Sequence, residues 1–254
     1  MKDFYEKQLI GRFEKGKTFS RGDLYDFYLE YQPDLKDGTF GWRIYNLKKK
    51  NVIKSVGKGI YTLCDKPAYQ PELNESSKKI AKLLDKNFSD LSYCVWESSW
   101  LNEFSNHQVT SFFIILEVEK ELINSVFFNL KDKGVRNLFL QPGESEMEIY
   151  VLEKEKPVVL KCLISRSPLQ KITDKKLEVN IPALEKILTD IYCDRDTFYF
   201  YSGNELEAIF ENAINRYTLD FSRLLAYANR RGKEIEIKEF LTRKFSSLTG
   251  GILR

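Results

Sequence analysis

Thr39-Phe40-Gly41-Trp42-Arg43-Ile44-Tyr45-Asn46-Leu47-Lys48-Lys49-Lys50, followed by Val52-Ile53-Lys54-Ser55-Val56-Gly57-Lys58-Gly59-Ile60-Tyr61-Thr62-Leu63, decides how the first quarter of this chain folds. Phe40, Ile44 and Leu47 recur at three- and four-residue spacing, the inner stripe of a helix from about Thr39 to Lys50. The two β-prone runs behind it straddle Gly57-Lys58-Gly59 and predict a hairpin. Toward the N-terminus, Phe4, Leu9, Ile10 and Phe13 mark a first helix, and Gly16-Lys17-Thr18-Phe19-Ser20 reads as a turn. Ser20 and Asp23 have capping-box spacing and open a second helix through Leu24, Phe27, Tyr28 and Tyr31. Gln32-Pro33-Asp34 ends it, because proline pushes the preceding residue out of the helical region.

Helix, helix, turn, helix, hairpin is the order of a winged helix-turn-helix, in which the last helix enters the major groove. With Phe40, Ile44 and Leu47 inward, Thr39, Trp42, Arg43, Asn46, Lys49 and Lys50 are expected to face outward. Arg43 suits a bidentate contact to guanine and Asn46 one to adenine. Lys48, Lys49, Lys50, Lys54 and Lys58 suit phosphates, which carry affinity but little sequence information. Trp42 would flank a phosphate or pack on the wing. The ordinary alternative for the lysine run is a solvated helix end that complements the dipole. Charge partition favours the first reading. Residues 1–66 hold 14 basic and 9 acidic side chains, whereas the other 188 hold 26 and 28, in a chain of net charge +3.

The expected fold class is therefore α+β, with a winged helix-turn-helix over residues 1–66. A mixed α/β domain with a helical C-terminal part follows over residues 67–254. Asp65-Lys66-Pro67-Ala68-Tyr69-Gln70-Pro71 reads as the linker, and Ile80, Leu83 and Leu84 stripe a helix after it. Tyr93–Trp96, Phe112–Val118, Asn137–Leu140, Glu148–Leu152 and Val158–Leu163 read as strands, the second apolar on both faces and so central. Glu121–Lys133 reads as a helix. Four helical stripes fill the C-terminal third. They run through Leu184–Ile191, through Leu206–Tyr217 behind a Ser202/Glu205 capping box, through Leu224–Ala228 up to Arg230-Arg231-Gly232, and through Ile237–Leu241.

Few groups suggest chemistry. Cys64, Cys94, Cys162 and Cys193 are scattered without metal-ligand spacing, and His107 is the single histidine. There is no phosphate-cradling glycine loop and no nucleophile elbow. Glu117 and Glu119 end the central strand, and Asp190, Asp194 and Asp196 cluster at a helix end. These are the carboxylates a Mg²⁺-dependent nuclease or nucleotidyltransferase would use, while the ordinary expectation for the aspartates is a solvated helix end. Lys161, Arg166, Lys171, Lys175 and Lys176 surround Ile164–Pro168, either a surface for an anionic partner or a charged loop. No apolar run has the form of a signal peptide or spans a bilayer, so a cytoplasmic protein without a membrane partner is expected.

The chain resembles the AbiEi-like antitoxins of type IV toxin–antitoxin and abortive-infection systems. The resemblance rests on Val56-Gly57-Lys58-Gly59-Ile60-Tyr61 at the end of the winged helix, on Ile164-Ser165-Arg166-Ser167-Pro168, on Leu184–Asp190, and on Leu224–Gly232. It implies a repressor whose winged helix binds a double-stranded operator of its own two-gene unit. It also implies a C-terminal domain that counters a cognate nucleotidyltransferase-like toxin. No enzymatic activity and no cofactor are implied. By position Arg43, Lys49 and Lys54 would serve DNA, and Arg166, Lys171, Arg230 and Arg231 would be candidates for the antitoxin surface. Two alternatives come from other classes: a stand-alone transcription regulator with a ligand-sensing domain, and a metal-dependent enzyme using Asp190, Asp194 or Glu117. A monomer on each operator repeat is compatible with the sequence, which leaves the oligomeric state open.

Overall fold

A computed structural model describes residues 2–88, 90–174 and 177–249, apart from the side chains of residues 2–4, 247 and 248. Phe4, assigned above to the first apolar stripe, has its side chain outside the described residues, and Lys175 and Lys176 lie outside them entirely. The chain is a mixed α+β protein whose buried side chains form two clusters.

The first cluster lies within the N-terminal quarter. Helices α1 (Lys2–Arg12), α2 (Arg21–Tyr31) and α3 (Asp37–Lys49) pack with strands β1 (Thr18–Ser20), β2 (Ile53–Gly57) and β3 (Ile60–Leu63). Leu9, Leu24, Phe27, Tyr28, Phe40, Ile44, Leu47 and Ile53 fill the space between them. The capping box is present: the Ser20 hydroxyl accepts from the Asp23 amide at 3.0 Å, and the Asp23 carboxylate accepts from the Ser20 amide at 2.7 Å. The backbone bond to Ser20 holds the Asp23 carboxyl below the usual range.

Two expectations fail here. Thr18–Ser20 is a third antiparallel strand paired with β3, not part of a turn. Its partner lies some forty residues away, so local spacing cannot reveal it. Ile10 is 49% exposed and leaves Leu9 to face the core.

The second cluster surrounds a four-stranded sheet ordered β4 (Tyr93–Glu97), β5 (Ile114–Val118), β7 (Val158–Cys162), β6 (Leu138–Leu140). Strands β5, β7 and β6 run parallel, and β4 is antiparallel to β5. Every residue of β5 is buried, as its two-faced apolar sequence requires. Helices α4 (Glu75–Asn87) and α5 (Ile123–Asp132) pack on this sheet.

A hairpin of β8 (Leu169–Asp174) and β9 (Leu177–Pro182) lies against β4. The hairpin corrects one of the two expectations for this stretch, a charged loop: Lys171 and Glu178 face out from paired strands while Val179 and Ile181 are buried. Glu148–Leu152, read as a strand, instead continues the turn α6 (Glu144–Glu146) as a π-helical segment, Met147–Val151. Met147 and Val151 are buried while Ile149 and Tyr150 face out, so a four-residue period wins over an apparent alternation.

Helices α7 (Leu184–Cys193), α8 (Asn204–Arg216), α9 (Phe221–Arg230) and α10 (Glu234–Thr249) complete the chain. The expected Ser202/Glu205 capping box is absent. Gly203 is the N-cap of α8, and Glu205 turns instead to accept from the Asn106 and His107 amides at 2.8 and 3.1 Å. Gly232, at φ 68°, ends the α9 turn as its position after Arg230-Arg231 predicts.

The segment expected as a linker is packed. Tyr69 is buried against the rings of Phe104 and Tyr217, and Lys66 Nζ donates to the Ile214 carbonyl at 2.9 Å. Strand β2 also contacts α9, so the two cores touch through the hairpin.

Candidate nucleic-acid interface

Helix α3 buries Phe40, Ile44 and Leu47 and turns the opposite stripe outward. At the centre of that stripe stand Trp42 and Tyr45, 57% and 60% exposed, with Lys49 one turn further on. Thr39 and Lys48 are exposed on its flanks, and Asn46 is half-buried. Tyr45 was not singled out by sequence, although its position three residues after Trp42 would have placed it on the same face. Lys58 is exposed at the hairpin tip, where Gly59 takes φ 69°. Among the described residues, Lys48, Lys49 and Lys58 have no ion-pair partner.

Three of the expected cations are committed elsewhere. Arg43 does not face outward. It lies three residues after Phe40 and four before Leu47, which places it on the edge of the core stripe. Its guanidinium sits over the Tyr28 ring at 4.7 Å and the Tyr5 ring at 5.3 Å, and Nη2 donates to Gln32 Oε1 at 2.5 Å. Nη1 is buried without a hydrogen-bond acceptor among the described residues, where the π faces are its remaining counter-charge. Lys50 pairs with Glu6 of α1. Lys54 bends back along the hairpin and donates to the Lys66 carbonyl at 3.2 Å. Arg43 therefore ties α3 to α1 and α2, and Lys54 ties the hairpin to the following segment.

Beside Trp42 lies a cavity of about 490 Å³ lined by Tyr5, Tyr28, Asn46 and Leu47 together with the Gln32–Arg43 and Glu6–Lys50 pairs. Burial pushes the Tyr28 phenol above its usual range, so it is neutral at physiological pH.

The four antitoxin-surface candidates separate. Arg166 is exposed in a left-handed backbone conformation, and the exposed Arg230 donates to the Oγ of Ser165, the residue before it. Lys171 sits on β8 and pairs with Glu178 at 2.7 Å. Arg231 is not a surface residue but part of an internal charge network.

That network corrects the expectation of a solvated aspartate cluster. Asp190 is 1% exposed, and its carboxylate receives the Tyr227 hydroxyl at 2.9 Å, Arg231 Nη1 at 2.7 Å and Lys186 Nζ. Lys186, wholly buried, also lies 2.6–2.9 Å from both oxygens of Glu117 on β5. Arg231 continues to Asp194, which Lys161 of β7 meets at 2.9 Å while bonding Thr197 Oγ1 at 2.8 Å. Asp196 alone of the three aspartates is exposed.

The electrostatics follow from geometry. Burial pushes the Glu117 carboxyl up to about 7 against the pull of Lys186. Burial also opposes the charge on Asp194, but Lys161 and Arg231 outweigh it and hold that carboxyl below its usual range. Burial lowers Lys186, yet Asp190 and Glu117 more than compensate, so it stays protonated. Of the five carboxylates that sequence offered to a metal, Glu117, Asp190 and Asp194 are thus met by three of the protein's own cations, Lys161, Lys186 and Arg231. Among the described residues, no group of three acidic, histidine or cysteine side chains is arranged to hold a metal ion.

These features define a mixed α+β protein with an aromatic and basic helix face on one core and a neutralised charge network inside the other. The chain belongs to the family of unknown function DUF6577, whose family model matches residues 39–247, more than half its length. The match begins at the first turns of α3 and runs into α10. No curated protein matches the chain at a significant level. No helix of the described residues is long and apolar enough to cross a membrane.

Proposed function

We propose that this protein is a DNA-binding regulator whose N-terminal quarter acts as a winged helix-turn-helix. The supporting observation is the order α1-β1-α2-α3-β2-β3 with all three strands antiparallel, which leaves α3 exposed beside a glycine-tipped basic hairpin. Lys48, Lys49 and Lys58 displace counterions from the duplex and set affinity. Sequence preference comes from Thr39, Trp42, Tyr45 and Asn46, since Arg43 holds the helix in place and does not reach bases. The resemblance to AbiEi-like antitoxins extends this reading to an autorepressor of a two-gene unit that counters a nucleotidyltransferase-like toxin. The exposed cations Arg166 and Arg230, linked through the Arg230–Ser165 bond, are the surface we assign to that second role.

The test uses the full chain. Replacing Lys48, Lys49 and Lys58 together by Glu is expected to abolish gel shifts of the DNA upstream of its own gene. Unchanged shifts would remove the DNA assignment. Replacing Arg166 and Arg230 by Glu is expected to keep the shifts but end rescue of growth when a toxic neighbouring gene is co-expressed. Rescue by this variant would remove the surface assignment.

A further inference from the structure

A second cavity, of about 390 Å³, lies in the other core at the amino ends of β5 and β7, where Ile114 and Val158 begin their strands. Helix α4 forms one wall, and the turn after α5 and the segment entering β7 form the others. The floor is aliphatic: Ile80, Ile114 and Val158 belong to the core and Val135 is half-buried. The rim is cationic. Lys79 of α4, Arg136 before β6 and Lys156 before β7 come from three separate stretches of chain and line the same space.

These cations are not neutralised by their neighbours. Lys79 and Arg136 are exposed, and among the described residues their side chains have no ion pair or hydrogen bond. Lys156 meets Glu155 at 3.7 Å, with both side chains largely in solvent. Glu155 is the one acid among the residues that line the cavity, so three positive charges face one negative and two remain uncompensated. Gathering like charges around one cleft is unfavourable until an anion joins them. The frame that carries the rim is fixed. The Val158 amide donates to the Asn137 carbonyl and the Ile114 amide to the Pro157 carbonyl, each at 2.9 Å. The Asn137 side-chain amide donates to the Glu155 carbonyl at 2.8 Å, which ties the two loops together. Lys156 itself is held at φ 51°, in the left-handed region that a side chain disfavours. Cations set in place in this way lose little freedom when an anion arrives.

The charge selects the ligand. A phosphomonoester carries roughly 1.5 to 2 negative charges at neutral pH and matches the surplus, whereas a carboxylate supplies one. Arg136 suits it further, because a guanidinium fork takes two phosphate oxygens at once, and the Ser76 hydroxyl adds a neutral donor. The volume falls within the roughly 300–1,000 Å³ of small-ligand sites. The aliphatic floor favours an apolar body over a second charged end.

We propose that this cleft binds a small organic phosphomonoester, with Lys79, Arg136 and Lys156 on the phosphate and the aliphatic floor under its apolar body. The cleft shares no residue with the α3 surface, so this proposal goes beyond the DNA reading and does not depend on it.

Titration calorimetry of the full chain tests it with five probes: AMP, phenyl phosphate, glycerol 3-phosphate, inorganic phosphate and adenosine. AMP and phenyl phosphate are expected to bind about tenfold or more tighter than the other three, since only they join the charge to an apolar body. Replacing Lys79 and Arg136 together by Glu is expected to weaken both by about tenfold or more, through lost charge-assisted hydrogen bonds. Lys86→Glu with Lys120→Glu makes the same change of net charge at exposed positions outside the cleft. That control is expected to keep affinity within about twofold, because solvent and salt screen distant charges. All four side chains are exposed, so the fold should survive. Lys79→Gln with Arg136→Gln, which removes the charge without reversing it, repeats the measurement if the first variant unfolds. Equal losses in the cleft variant and the control overturn the proposal, since they show attraction without a site. Equal affinity for AMP and inorganic phosphate, equal affinity for AMP and adenosine, or binding of no phosphomonoester overturns it as well.

Discussion

Replacing Lys186 by Met isolates the internal charge network. Met keeps the length and apolar stem of lysine but removes the ammonium. Asp190 retains the Tyr227 hydroxyl and Arg231, whereas Glu117 loses the one cation that meets it among the described residues. A buried charge stripped of its partner costs about 3–5 kcal/mol. Glu117 has a way out, since burial already holds its carboxyl near 7 and losing Lys186 pushes it higher. Below that pH the group is a neutral acid, and the cost falls to that of imperfect hydrogen bonds, about 1–3 kcal/mol.

Urea denaturation at pH 8 and pH 6 measures the difference. With a slope of about 1–3 kcal/mol per molar, the midpoint should fall by about 1–5 M at pH 8 and clearly less at pH 6. A wild-type control carries the sign. The unfolded carboxyl sheds its proton near pH 4.3, roughly the model-peptide value, whereas the folded one keeps it until about 7. Glu117 is therefore least costly below the first value, and its contribution to stability declines as pH rises through that window. An equal shift of the variant at both pH values, or a shift too small to measure, would refute the view that Lys186 neutralises a buried Glu117.

Other consequences separate packing from recognition. Arg43→Ala should lower the stability of the intact protein by about 1–3 kcal/mol through lost stacking on Tyr28 and the lost Gln32 bond, measured by thermal unfolding. An Arg43→Ala protein of unchanged stability but altered base preference would restore it as a reader. Ser20→Ala should cost about 1 kcal/mol through the α2 cap, and an effect below a few tenths in the same assay would contradict the capping geometry. Lys49→Ala should flatten the salt dependence of DNA affinity by about one unit, whereas Lys54→Ala should leave it unchanged, because Lys54 is bound to the Lys66 carbonyl. A reduced slope for Lys54→Ala would place that ammonium on DNA. Arg231→Ala should destabilise the second core without touching the exposed Arg166 and Arg230, so a loss of toxin rescue by a fully stable Arg231→Ala protein would argue against an internal role.

Much of the secondary structure was legible because it obeys local rules. The Ser20/Asp23 box, the Phe40-Ile44-Leu47 stripe, the glycine-tipped hairpin, the Phe112–Val118 run, buried from Phe113 on, and the glycine after Arg231 each act through neighbours within a few residues. What failed was set by partners far away in sequence. Strand β1 exists only because β3 arrives beside it, and the turn 144–151 is helical because Met147 and Val151 reach the core together.

The same division governs the site. Sequence determined that α3 would be basic and amphipathic, since charge and periodicity are properties of the chain itself. Tertiary structure decided which cations are available. Tyr5 and Tyr28 draw Arg43 inward, Glu6 takes Lys50, and the Lys66 carbonyl takes Lys54, leaving the two aromatic rings at the summit of the helix. It also decided that Asp190, Asp194 and Arg231, which read as surface charges, close on one another and on Lys186 and Lys161. A charge cannot signal its own burial in a sequence, because what makes burial tolerable is a counter-charge that only folding brings within reach.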